Sequence, residues 1–461
     1  MTRRLVVVGG GISGLAAAWF AADAGYDVTV LEASPRIGGK LKVEEVAGIP
    51  VDVGAEAMLT ARPEGLDLLS AAGLEGDRIA PTTTSAQVRA AGTNHPLPAK
   101  TMLGVPSSVE AVRASGLLTP AGLVALAAEP SREPLPPLED DVSVGALVRS
   151  RLGDEVVDRL VEPLLGGVYA GRADDLSLRA TMGRLAARLE SGGSLLDAAR
   201  AVTDVGARAP SAGSIFTSVR GGLGRLPGAL ESARRFSVRT GVTVRSIERR
   251  PSGFVLHCGA APTDEQIEAD AVVVATPAAK AARLLRSVAA SAAAELAQIE
   301  SASMAIVSFA FAGVTPPEGS GLLIGSGERL ATKAVTLSSQ KWPLATGGLT
   351  LLRASVGRIG EPRALQFEDA ELISLVRREL RPLLGIDAAP VDARVTRWGG
   401  GLPQYAVGHV DRIARIRASV AAVPGLGICG AAFDGVGIPA CIASARAAVD
   451  RVVASAHVRA Q

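Results

Sequence analysis

The sequence predicts an α/β fold in which a discontinuous, Rossmann-like nucleotide-binding domain is joined by an α+β domain and a helical domain. Three observations carry this prediction. A βαβ glycine fingerprint opens the chain, a fully apolar strand pattern recurs near residue 272, and a glycine-rich segment starts a helix near the end.

The fingerprint comes first. An apolar run from Leu5 to Val8 meets Gly9-Gly10-Gly11-Ile12-Ser13-Gly14, an alanine-rich helical pattern follows, and a second apolar run from Val28 to Leu31 ends at Glu32-Ala33. Gly9 permits the tight strand-to-helix turn, Gly11 lets backbone approach a pyrophosphate, and Gly14 allows close packing of helix on strand. The helix N-terminus offers its unpaired N–H groups to phosphate. Glu32 lies 18 residues after Gly14, at the strand end where a carboxylate accepts ribose hydroxyls. Arg36-Ile37-Gly38-Gly39-Lys40 then resembles the arginine and double-glycine signature of FAD-dependent oxidases, with Lys40 where arginine is commoner. FAD is therefore the expected cofactor, with Lys40 along its ribityl and phosphate side.

The second observation lies far downstream. Val242 to Arg250, Phe254 to Leu256 and Ala271 to Ala275 read as strands by their β-branched content, and the last is apolar enough for a parallel strand buried on both faces. The third is Gly435-Val436-Gly437-Ile438-Pro439, after which Ala440 to Val453 has a helical pattern with proline at its start. The dipole of such a helix can stabilise negative charge on a reduced flavin. The expected division is 1–60, 215–280 and 398–461 for the FAD domain, 61–93, 201–214 and 281–397 for the α+β substrate domain, and 94–200 for the helical domain. Helices are expected at Val142–Leu152, Glu155–Leu165, Ala289–Glu300 and Ala370–Leu384, strands at Ala305–Phe311 and Leu349–Val356, and a connector at the proline-rich stretch 129–137.

Composition excludes several classes. The 461 residues carry 48 basic and 46 acidic side chains, a net charge of +2, and 3% aromatics, so neither a global field nor stacking platforms point to nucleic acid. Cys258, Cys429 and Cys441 leave an odd thiol under any pairing, which suits a reduced, cytoplasmic setting. His95, His257, His409 and His457 are scattered, so no metal site is expected. The mean hydropathy of +0.29 reflects alanine, glycine and valine, and no stretch of about 20 uninterrupted apolar residues reads as a membrane span. Peripheral membrane contact is left open.

Four internal segments make a resemblance specific. Val161 to Thr181 (VEPLLGGVYAGRADDLSLRAT), Gln340 to Pro343 (QKWP), Thr396 to Ile413 (TRWGGGLPQYAVGHVDRI) and Gly430 to Ile442 (GAAFDGVGIPACI) resemble the flavin-dependent porphyrinogen oxidases of haem synthesis in their soluble bacterial form. That resemblance, which spans essentially the whole chain, implies an amine-oxidase-like flavoprotein. It implies oxidation of coproporphyrinogen III to coproporphyrin III, with oxygen as acceptor and hydrogen peroxide as product, by hydride abstraction onto the flavin. It further implies a coproporphyrin ferrochelatase as a candidate partner.

Site residues follow from the same resemblance. Gly54-Ala55-Glu56-Ala57 matches a segment facing the flavin, though Ala55 and Glu56 replace the usual Pro-Asp pair. Trp398 and Val436-Gly437-Ile438 match flavin-contacting positions, and Val244 matches one serving the adenine through its backbone. Arg62, Arg172 and Lys341 are candidates for holding the substrate's propionates, and Tyr169 for lining the cavity.

Competing readings stand beside it. A two-domain disulfide reductase would need a cysteine pair between Glu32 and Asp52, and there is none. A protoporphyrinogen IX oxidase keeps the family and changes the substrate. An amine oxidase or carotenoid desaturase shares the FAD ends but would need an aromatic cage or long apolar channel, and three Trp and three Tyr are few for a cage. A non-catalytic porphyrin carrier is the reading outside enzymes.

Overall fold

The computed structural model describes residues 2–207, 214–260 and 264–458. At its centre five parallel strands run in the order Ser237–Arg239, Asp27–Leu31, Arg4–Val8, Ala271–Val274 and Leu426–Ile428. Arg4–Val8 thus pairs with Ala271–Val274, and Asp27–Leu31 with Ser237–Arg239, strands far apart in the sequence, which is the expected discontinuity.

Alternation along these strands divides the core. Leu5, Val7, Val28, Val30, Ala271 and Val273 point to one face, where Leu15 and Phe20 of the helix Ile12–Asp23 and Ile442, Ala445 and Val449 of the helix Ile438–Val458 cover them. Val6, Val8, Val272, Val274 and Ile428 point to the other face, against Ala281, Leu285, Leu296 and Ile416. Each buried valine or leucine contributes roughly 1.5–3 kcal/mol of transfer free energy, which explains why this sheet reads as continuous apolar runs. The antiparallel strands Val244–Arg250, Gly253–Cys258 and Glu265–Ala269 pack on this second face.

A second sheet of seven strands carries the other half. Its order is Asp392–Pro403, Ser301–Phe311, Thr350–Val356, Thr332–Thr336, Gly321–Ile324, Ala86–Ala90 and Thr93–Pro96. Val307, Phe309, Leu322, Val335, Leu352 and Ala354 form one face, packed against Leu372, Val376 and Leu380 of the helix Asp369–Leu384. Their neighbours on the opposite face, among them Ser308, Arg353, Ser355 and Thr336, turn inward toward the segment around Asp52 and the helix Glu162–Tyr169.

Helices between Val144 and Ala207 enclose a third core of Val148, Val156, Val161, Leu165, Leu178, Leu185 and Leu196. The proline-rich connector is pinned at its start by Glu129, which is fully buried. That carboxylate accepts from Ser194 Oγ (2.6 Å), Leu195 N–H (2.8 Å) and Leu196 N–H (3.2 Å), and pairs with Arg151 (2.9 Å).

Two of the expected boundaries cut through packed structure. The division at 93/94 runs inside the hairpin Ala86–Ala90/Thr93–Pro96, and that at 397/398 runs inside the strand Asp392–Pro403, which pairs with Ser301–Phe311. The helix expected at Ala289–Glu300 spans Ala290–Ala297 and packs under the central sheet through Ala292, Ala293 and Leu296, away from the second sheet. Hydrophobic period reports that a face is buried, and only the partner decides which layer it joins. The expected segment 201–214 lies partly outside the described residues. Among the described residues no helix is long and apolar enough to cross a membrane.

Candidate functional site

The glycine loop separates its glycines by job. Gly9 has φ +109°, a region that favours glycine, and a side chain there would press on the Ala275 carbonyl. A Cβ on Gly14 would sit deep inside the Gly9 carbonyl oxygen, so this glycine serves helix-to-strand packing. Gly11 differs: its backbone is extended (φ −72°) and nothing lies within 4 Å of where its Cβ would be. Space therefore opens over the N-terminus formed by Ile12, Ser13 and Gly14, which no side chain caps.

Glu32 closes the same loop. Its Oε2 accepts the Gly10 N–H at 2.7 Å and its Oε1 the Ser34 N–H at 2.8 Å, while Ala33 is exposed beside it. The Glu32 carbonyl accepts from Val242 N–H (2.9 Å), which brings the strand beginning at Val244 to this edge. Arg36 donates to the carbonyls of Ile37 (3.1 Å) and Gly39 (2.7 Å), folding the double-glycine turn, and Gly38 N–H donates back to Gly10 (2.7 Å).

The next ring of residues converges on that turn. Lys40 Nζ donates to the Gly401 carbonyl at 2.6 Å, and burial lowers its pKa. A Cβ on Gly54 would collide with the Lys40 carbonyl and stand 3.3 Å from Trp398, whose indole N–H donates to Val53 at 2.9 Å. Ala55 and Ala57 are half-buried beside it. The buried thiol of Cys441 touches the carbonyls of Gly435 and Val436 (3.8 and 3.9 Å), which ties the start of the helix Ile438–Val458 to this group. Val436 is half-buried, Gly437 exposed and Ile438 buried, so the turn presents backbone outward.

The substrate candidates meet different fates. Lys341 is committed to an internal ion pair: its ammonium lies 2.7 Å from Glu56, whose other oxygen is 3.3 Å from Arg353. Burial opposes ionisation of Glu56, yet Arg353 and Lys341 outweigh it and hold the carboxyl below its usual range. Both Lys341 and the Glu56 side chain are therefore structural ions rather than free contacts. Arg62 stands at the start of the helix Pro63–Ala71, 43% exposed and paired with Glu64 at 2.7 Å. Arg172 is 56% exposed and only 3.8 Å from Glu361. Tyr169 is buried against Tyr405, ring centroids 5.4 Å apart, with its hydroxyl pushed up to about 12 by burial.

Comparison with known proteins now decides the family. The family model described as flavin containing amine oxidoreductase matches residues 12–453. The chain belongs to that family. It is 39% identical over 457 residues to the coproporphyrinogen III oxidase of Mycobacterium tuberculosis (strain ATCC 25618 / H37Rv), covering 98% of this chain and 97% of the relative. The corresponding protein of Bacillus subtilis (strain 168) is 33% identical over 463 residues, with 97% of each chain covered. A crystal structure from Exiguobacterium sp. 255-15, assigned by its name to the protoporphyrinogen oxidases, superposes with a TM-score of 0.87 at 32% identity, covering 98% of this chain and 99% of that one.

This flavin-containing oxidoreductase uses FAD, and its residues fit the cofactor. The uncapped helix N-terminus, the empty volume over Gly11 and the Glu32 carboxylate together form a cradle for pyrophosphate and ribose. Thr276 Oγ1, beside Gly9, is buried with no hydrogen-bond partner among the described residues, a polar atom left for something to fill.

Several residues of this flavoprotein's site escaped the sequence reading. Arg353 anchors Glu56 and donates to the Asp52 carbonyl, while Asp52 itself accepts from Leu223 N–H (2.9 Å) and Gly224 N–H (3.0 Å). Tyr405 donates to Ala431 (2.5 Å) and stacks on His409 at 4.1 Å, locking the turn that precedes the C-terminal helix. The available signal was a cation inside an apolar strand, as in Thr350–Val356 (TLLRASV), since a charge at such a position must have a partner or a task.

Proposed function

We propose that this FAD enzyme oxidises coproporphyrinogen III to coproporphyrin III in haem biosynthesis, with oxygen as acceptor and hydrogen peroxide as product. The observation that carries the reading is the near full-length identity with relatives named coproporphyrinogen III oxidase, on a chain whose cofactor cradle is intact.

Bound FAD supplies the electron-accepting chemistry. The chain's residues do the rest. Ile12, Ser13 and Gly14 would offer backbone N–H groups to the pyrophosphate, and Glu32 would meet the adenosine ribose. Gly54 to Ala57, Trp398 and Val436 to Ile438 would border the flavin, the last three leading into a helix whose positive end favours negative charge. Ring oxidation needs no acid–base triad, so the remaining task is to hold a tetra-anionic macrocycle. Arg62 and Arg172, exposed and held only by rim ion pairs, can exchange their carboxylates for propionates. Tyr169 stays neutral across the physiological range and offers an apolar wall. Its ring lies too close to Tyr405 to admit an amine between them, which disfavours the amine-oxidase reading.

The setting we propose is the cytoplasm, with a coproporphyrin ferrochelatase receiving the product. The test is aerobic turnover: holoenzyme with coproporphyrinogen III, porphyrin fluorescence followed beside a heat-inactivated control, and peroxide measured in parallel. Enzyme-dependent porphyrin with matching peroxide is expected; bound substrate without acceleration would favour a carrier.

A further inference from the structure

Lys333 is a buried cation without a counter-ion. It lies in the strand Thr332–Thr336, is 2% exposed, and among the described residues its ammonium makes one long hydrogen bond, 3.5 Å to the Gly166 carbonyl. No carboxylate pairs with it among the described residues. An isolated buried ammonium is costly, by several kcal/mol in general, and such groups are retained where function uses them.

A bulge aims it. Thr332 pairs with Val356 on the face packed by the helix Asp369–Leu384, and Ala334 pairs with Ser355 on the inner face, so the register slips by one residue at Lys333. In such a bulge two successive side chains oppose one partner residue, and Lys333 joins Ala334 on the inner side. That face also carries Leu323, Ser355, Thr336 and Arg353, the last of which reaches Glu56 in the flavin-facing segment. Across from Lys333 lies the end of the helix Glu162–Tyr169, where Gly167 and Val168 are exposed and Tyr169 begins the turn to Arg172. Lys333 thus stands on the wall between the flavin segment and the expected substrate-lining turn.

Its electrostatic surroundings favour an anion. Burial, helped by the neighbouring Arg358 guanidinium, brings the Lys333 ammonium down to about 7. The acids on the packed elements are occupied elsewhere. Glu162 accepts from Ala173 N–H, Glu379 on the outer helix accepts from Ala331 and Thr332 N–H, and Glu361 lies 3.8 Å from both Arg172 and Arg358.

We infer that Lys333 is a specificity-determining residue that binds one propionate carboxylate of the tetrapyrrole, its flexible side chain swinging from the Gly166 carbonyl to the substrate. This rests on the porphyrinogen-oxidase reading above. A carboxylate arriving beside Lys333 and Arg358 supplies the missing counter-charge, and a substrate without carboxylates cannot.

The test compares FAD-loaded wild type with Lys333→Met and Lys333→Arg. For coproporphyrinogen III, Lys333→Met is expected to raise KM by about 10- to 100-fold, the range of a lost charge-assisted hydrogen bond, with kcat changed less than about threefold. Lys333→Arg restores part of the KM. Melting temperature and FAD content should hold or rise in Lys333→Met, because an unpaired charge has been removed. Wild-type affinity should weaken as pH rises above about 7, where the lysine loses its proton, and the Met variant should lack that slope. An unchanged KM, or a collapse of melting temperature with normal KM in both variants, overturns the inference. Should wild type turn over no porphyrinogen at all, the functional reading fails separately, and titration with coproporphyrin III and its tetramethyl ester judges the lysine. Tighter binding of the acid by wild type than by Lys333→Met, with equal binding of the ester, supports it; equal binding of the acid contradicts it.

Discussion

His409 shows how one side chain couples the C-terminal turn to pH. It is 1% exposed, its Nε2 meets the Ala432 carbonyl at 3.0 Å, and its ring stacks on Tyr405. Burial lowers its pKa to about 4, so the imidazole is neutral in the folded protein at neutral pH and donates Nε2–H. The unfolded chain takes up that proton at about 6.5. Stability carried by the neutral ring is therefore complete above about pH 6.5 and is lost as pH falls toward 4, a difference on the order of 3 kcal/mol. Melting curves at about pH 7.5 and pH 5 should fall further apart in wild type than in His409→Gln, which keeps a donor for Ala432 and cannot charge. Equal pH sensitivity would remove His409 from the account. At the same scale the ion pairs among Glu56, Lys341 and Arg353 were invisible beforehand, because the partners are separated by about 300 residues of sequence and no period connects them.

Elements were legible in proportion to how local their cause is. The βαβ unit, the apolar strand Ala271–Val274 and the terminal helix are written in consecutive residues, and the structure has all three, though the helix expected at Ala440–Val453 runs from Ile438 to Val458. The bulge at Lys333 and the pairing of Ser301–Phe311 with Asp392–Pro403 were not, since both depend on which strand lies alongside. The glycine loop separates local from ligand-driven demands. Gly14→Ala forces a Cβ into the Gly9 carbonyl and should lower the melting temperature of the protein with or without FAD. Gly11→Ala meets only open space, at an ordinary φ, so the apoprotein should melt as wild type does while FAD affinity falls by about tenfold or more. Equal FAD affinity in Gly11→Ala would mean that the pyrophosphate does not sit over this glycine.

Over the whole molecule, the two sheets divide the labour. The central one carries the glycine loop and Glu32, where we place the nucleotide, and the inner face of the other supplies Arg353 and Lys333, with the helix Glu162–Tyr169 lying across it. Because the central sheet draws strands from Arg4 to Ile428, neither half can be complete before nearly the whole chain is in place. The family resemblance was legible because it rests on segments that meet only in the fold, such as those around Gly171 and Gln404, where a Cβ on the glycine would press into the glutamine amide. With a net charge of only +2, recognition of the proposed tetra-anionic substrate must come from a few placed cations rather than from a long-range field.

The most direct measurement is the ratio of kcat/KM for coproporphyrinogen III to that for protoporphyrinogen IX, taken on the same FAD-loaded preparation in air with autoxidation subtracted. Four carboxylates facing Arg62, Arg172 and Lys333 predict a ratio of about ten or more in favour of coproporphyrinogen III. A ratio below one would contradict the assigned substrate and make this a protoporphyrinogen IX oxidase.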